Sequence, residues 1–180
     1  MTESHASPAA PVSNDPRPKG DVPPPGINAD ERETLLAFLN YLRAAIISKA
    51  QGIDEESARA VGVPSGTSLL GLVKHLTEAE FNWFVWAFQG ADAEMQTDGM
   101  ELGPDDTAES LIAAYRAAGE RTDALVRACD DLETLCVRDT GGTPPRRSLR
   151  WVLVHTVEET ARHAGHADIL REQLDGSVGR

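Results

Sequence analysis

Four stretches of the chain repeat apolar residues every three or four positions, the period of an amphipathic helix. In the first, Leu35, Leu36, Phe38, Leu39, Leu42 and Ile46 keep that period to about Lys49. Asn28 and Asp30, each followed three positions later by a glutamate, supply capping chemistry for its start. Gly52 and the run Val61-Gly-Val-Pro-Ser-Gly66 break the pattern, with room for a short helix at 54–60. The second stretch opens at Thr67 or Ser68, presents Leu69, Leu72, Val73, Leu76, Ala79 and Trp83 inward, reaches about Phe88 and stops at Gly90. The third begins at the capping-box-like Asp106-Thr-Ala-Glu109, carries Leu111, Ile112, Tyr115, Leu125 and Val126, and ends near Cys129. The fourth, capped by Ser148, carries Trp151, Val154, Val157, Ala161, Ile169 and Leu170 to about Leu174.

No alternating strand pattern of useful length and no internal repeat accompanies these helices. The pattern therefore predicts an all-α fold, a four-helix bundle over residues 28–176. The loops after the second and third helices are longer than an up-down bundle needs, and are expected to act as lids at one end. Ahead of the bundle, residues 1–27 hold seven of the eleven prolines and almost nothing that packs, which predicts a disordered, Pro-rich leader.

Charge narrows the partners. Seventeen basic against 29 acidic side chains give a net charge of −12, a surface that repels phosphate backbones and anionic lipid. The one basic cluster, Arg146-Arg147 with Arg150, is too short for a nucleic-acid footprint, and no apolar run approaches the roughly 18 residues of a membrane span. Neither nucleic acid nor membrane is expected as a partner. Cys129 and Cys136 cannot make a disulfide framework, and the N-terminus lacks the basic and apolar regions of a secretory signal, so a reducing cytoplasm is expected.

Candidate chemistry comes from histidine. His155, Glu159 and His163 step by four and His166 follows by three, which lines all four along one stripe of the last helix. His75 lies in the second helix, between Leu72 and Leu76, and His5 in the leader. One imidazole from one helix and a Glu-x-x-x-His pair from another make a plausible three-ligand set for a divalent metal, with a position left for water or substrate. Zinc, nickel and iron all suit such donors. The plainer alternatives are a core histidine with a satisfied hydrogen bond at position 75, and an i,i+4 surface pair at 159 and 163. Against them stands the clustering on an arc expected to continue the helix's inner face.

The segment Glu159-Thr-Ala-Arg-His163-Ala-Gly-His166, after Trp151 and before Ile169-Leu-Arg-Glu172, resembles the last-helix motif of the DinB-like (YfiT-like) metalloenzyme superfamily. Ser68-Leu-Leu-Gly-Leu-Val-Lys-His75-Leu is similar to that family's first metal-ligand region. The likeness spans about residues 30–175 and is nearest to an actinobacterial branch long labelled a domain of unknown function. Many relatives carry three histidines. The resemblance implies His75, Glu159 and His163 here, the His, Glu, His set of the mycothiol-dependent maleylpyruvate isomerase branch. It further implies a pocket or supporting role for His166, whose position is often Gln, while His155 either orients Glu159 or is itself a ligand.

What the resemblance implies about activity is thiol chemistry: a divalent metal, zinc first among the candidates, activates a low-molecular-weight thiol such as mycothiol for attack on an electrophile. Metal-dependent hydrolysis, thiol-dependent isomerisation and a non-catalytic binding or dimerising bundle are the alternatives. Arg162 is a candidate for holding a substrate carboxylate, although pairing with Glu158 is the simpler expectation. Trp86 is a candidate pocket wall or a packing residue, Trp83 a core residue, and Glu78 and Glu80 a solvated or semi-exposed face. Bundles of this family often pair, so the resemblance makes a homodimer a candidate while the residues leave the oligomeric state open.

Overall fold

The structure, a computed structural model, describes residues 21–179. Most of the Pro-rich leader, His5 included, lies outside those residues. Its last part runs without helix from Asp21, where the Tyr41 hydroxyl donates to the Val22 carbonyl at 3.0 Å.

Five helices follow: α1 (Glu31–Ala50), the short α2 (Glu55–Arg59), α3 (Leu69–Glu80), α4 (Ala108–Ala128) and α5 (Leu149–Asp175). Beyond Glu80, α3 continues as a π-helix, Phe81–Phe88. Caps set these boundaries. The side chains of Asp30, Ser68 and Ser148 each accept the N–H three residues on, which satisfies donors that the first helical turn leaves free. At α4 the reciprocal capping box is Thr107 with Ser110, one residue later than the spacing of Asp106 and Glu109 predicts. Asp106 instead accepts from Gly103 N–H at 2.8 Å and from Lys74 at 3.0 Å.

The four long helices form the bundle, with α5 packed between α1 and α3, and α4 against α1 and α3 on the other side. Two apolar layers fill it. One gathers Leu42, Ile46, Leu70, Leu72, Leu76, Ile112, Ala164 and Leu170; the other gathers Leu36, Leu39, Phe84, Val126, Val152 and Leu153. A buried polar belt separates them: Arg43, Glu80, Thr122, Thr156 and Thr160, one or two from each long helix. Arg43 makes a two-pronged ion pair with Glu80 at 2.7 Å and reaches Asp123 at 2.8 Å, while Thr122 donates to Glu80 at 2.8 Å. Glu80 is thus 2% exposed, not part of a solvated face. Its charge is tolerated in the core because Arg43 neutralises it and three donors satisfy its oxygens.

Two further expectations change. The buried stripe of α5 is Leu149, Val152, Leu153, Thr156, Thr160, His163, Ala164, Ala167 and Leu170, so Trp151, Val154 and Ile169 lie on the exposed side. And the loop after α3 does not cap an end. It runs back along the flank of α3: Asn82 exchanges two hydrogen bonds with the Gln96 backbone, Glu78 accepts from Thr97 and Gly99, and Lys74 donates to the Glu101 carbonyl. Gly71 permits the closest approach, since a Cβ there would sit 2.7 Å from the Met100 carbonyl oxygen. This strap forms one wall of the site described next.

Candidate metal centre

His75 of α3 and Glu159 and His163 of α5 meet across the seam between the two helices. One ligand atom from each can be chosen so that all three lie within 4.8 Å of one another. Glu159 Oε1 is the common point, 3.0 Å from His163 Nε2 and 3.3 Å from His75 Nε2. The two imidazoles meet edge-on, ring centroids 4.8 Å apart. His163 is buried, while His75 and Glu159 are half-buried at the edge of the seam. The i,i+4 step gives Glu159 and His163 adjacent turns of one face, and the polar belt, one turn away at Thr156 and Thr160, sets which face turns toward α3.

Charge in the cluster is unevenly shared. Hydrogen bonding to Asp98, which outweighs burial, pushes His75 up to about 9. Burial, and then the neighbouring His75 cation, push His163 below its ordinary value. Burial works to raise the Glu159 carboxyl, but hydrogen bonds with His75 and His163 win and hold it below the usual carboxylate range. The cluster therefore carries a carboxylate, a neutral imidazole and one proton held by the second imidazole. That is a donor set a divalent cation fits, because the cation can take the proton's place between the same three atoms.

The supporting candidates divide. His166 Nδ1 lies 3.3 Å from His163 Nδ1, so one imidazole steadies the other from the solvent side. His155 turns away from Glu159: it stacks on Trp151 at 4.9 Å and meets Trp83 at 5.0 Å, with its Nδ1 3.8 Å from a Glu158 oxygen. Arg162 pairs with Glu158, as the simpler expectation held, and its other nitrogen lies 3.5 Å from Glu159. Trp83 is half-buried between Trp151 and His155. Trp86 does line a cavity, of about 310 Å³, with Trp83, Asn82, Met95 and Thr140. Arg138 lies over the Trp86 ring at 5.1 Å, but its guanidinium is committed to the carbonyls of Trp86 and Ala91 at the end of the π-helix.

Sequence reasoning missed Asp98. Both its carboxylate Oδ1 and its backbone carbonyl lie 3.0 Å from His75 Nδ1. The only signal was the turn-forming Asp98-Gly99 dipeptide, which marks a bend without saying what the bend touches. Neither cysteine enters the site. Cys136 is fully buried in the second apolar layer, where burial pushes its thiol up, and Cys129 sits at the end of α4.

Among the described residues, no helix is long and apolar enough to cross a membrane. A search of curated proteins returned no match. A family model, that of the mycothiol-S-transferases, matches residues 34–176.

Proposed function

The chain belongs to the mycothiol-S-transferase family, and we propose that it is a divalent-metal-dependent thiol S-transferase whose ligands are His75, Glu159 and His163. The observation that carries this reading is the convergence of one nitrogen from each of two imidazoles and one carboxylate oxygen, from two helices, within 4.8 Å. Two imidazoles and one carboxylate would hold a divalent ion without cancelling its charge, and such an ion would supply the positive field that turns a small thiol into a thiolate at neutral pH.

The chain's own residues perform the rest. Glu159 balances charge and His163 is steadied through Nδ1 by His166. The cavity lined by Trp83 and Trp86 contains none of the three ligands; it lies further along the same helix as His75, and its apolar rings suit the uncharged or aromatic part of an acceptor better than a carboxylate. Arg162, occupied by Glu158, is not assigned to substrate. Because Cys136 is buried and Cys129 lies apart, the nucleophilic sulfur comes from a small thiol of the mycothiol type rather than from the protein. The catalytic unit is residues 28–176, and two free cysteines fit work in a reducing cytoplasm, with zinc as the first metal to try.

The test follows thiol consumption with an electrophile by tag-free protein, before chelation, after it, and after zinc, nickel or iron is restored. Metal-dependent loss of thiol matched by conjugate supports transfer. Metal-dependent turnover without thiol loss would move the reading to hydrolysis or isomerisation, and indifference to metal throughout would refute it.

A further inference from the structure

We infer that Asp98 is a positioning residue for the metal centre: it grips His75 by Nδ1 and so presents Nε2 as the coordinating nitrogen. The inference rests on the metal reading above but concerns a residue of the strap, outside the ligand set. A carboxylate and a carbonyl can only accept hydrogen bonds, and both approach the same ring nitrogen at 3.0 Å. Nδ1 must therefore carry the hydrogen. In the neutral ring that leaves the lone pair on Nε2, which faces Glu159 Oε1 at 3.3 Å. A lone pair set against a carboxylate oxygen is repulsive unless a cation lies between them. Without a metal a second proton on Nε2 bridges to Glu159, and a divalent ion would take that proton's place on the nitrogen that Asp98 leaves free. A carboxylate on the far nitrogen also raises the ring's strength as a ligand.

Backbone geometry supports a dedicated role. Asp98 has φ 59, the one left-handed non-glycine residue among those described. That conformation is sterically costly for most side chains and tolerable for Asp or Asn. Here it turns both the carbonyl and the carboxylate of a single residue onto His75. The strap does not need this contact to stay in place, because its neighbours are held independently: Gln96 by Asn82, and Thr97 and Gly99 by Glu78. Asp98 carries the one strap carboxylate that meets a ligand of the cluster, and it does so from a polar loop that would otherwise face water.

The experiment is a zinc titration of full-length, tag-free, metal-stripped protein against a chromophoric chelator, for the parent, Asp98→Asn, Asp98→Gly and Glu78→Gln. Asn and Gly both accept left-handed backbone, so the two Asp98 variants keep the strap while losing the carboxylate. The expected result is zinc affinity lowered by about 10- to 100-fold in both, with the metal-free proteins keeping the parent's helical circular dichroism and a cooperative melt. Glu78→Gln, which removes the negative charge of a neighbouring strap anchor without touching His75, is expected to bind zinc as the parent does. Parent-like affinity in both Asp98 variants would overturn the inference, as would an equal loss in Glu78→Gln, which would make the loss of nearby negative charge the cause. A parent that takes up no zinc would bring down the metal reading itself, a different failure from either of these.

Discussion

Glu159 Oε1 lies 3.0 and 3.3 Å from two imidazole nitrogens, and this three-atom geometry is what the proposed function rests on. Thiol chemistry in the chain itself is confined to two cysteines of different exposure, Cys136 buried in the second apolar layer and Cys129 half-buried against it. Burial pushes the Cys136 thiol up, so less thiolate forms at any given pH, and no reagent reaches it without unfolding. A disulfide reagent at pH 8 is expected to modify Cys129 promptly and Cys136 only in denaturant, and Cys129→Ser is expected to leave thiol transfer unchanged. Prompt modification of both thiols, or loss of transfer in that variant, would contradict this assignment. That Glu159 and His163 share one face was legible in the sequence because a four-residue step on one helix needs no knowledge of the fold, while His75 was joined to them by the likeness of its segment to a metal-ligand region. Asp98 and Glu80 were not legible, because their partners, His75 and Arg43, are brought to them by tertiary structure.

At the scale of elements, helix existence was plain from the apolar period, but two features depend on backbone detail that side-chain patterns do not carry. The first is the change of hydrogen bonding after Glu80. Gln89 N–H reaches back five residues to the Phe84 carbonyl, and the wider turn sets Trp83 against α5 and Trp86 over the cavity. The second is the face of α5. Residues 151–154 are all apolar, so no single stripe stands out; the threonines decide it, each satisfying its hydroxyl on the carbonyl four residues back. The strap of residues 89–107 belongs to this scale too, since its course along α3 is set by anchors spaced along one helix face at Lys74, His75, Glu78 and Asn82. Asn82→Ala removes both bonds to Gln96. It is expected to cost about 1–3 kcal/mol and to speed amide hydrogen exchange over residues 94–101 while α3 stays protected. Unchanged exchange there would mean that the strap is held by something other than these anchors.

Across the whole molecule, two apolar layers clamp a charged one, and the seam holding His75, Glu159 and His163 opens at the edge of that charged layer. A buried pair such as Arg43 with Glu80 adds little net stability while intact, but removing one partner strands the other. Arg43→Met is therefore expected to lower unfolding free energy by about 3–5 kcal/mol in urea titration, and a loss below 1 kcal/mol would show that Glu80 finds another partner or takes up a proton. The bundle as a class was readable from period and breakers; the layering was not, because Arg43, Glu80 and Thr122 each look like surface residues until all the helices are assembled. The most direct measurement uses cobalt(II) in place of the native ion, followed by optical absorption as a mycothiol-type thiol is added to the parent and to Glu159→Gln. A thiolate-to-cobalt charge-transfer band that saturates at one thiol per chain in the parent, and is absent from the variant, is the expected result. Cobalt bound by His75, Glu159 and His163 with no such band at any thiol concentration would contradict thiol activation at this centre.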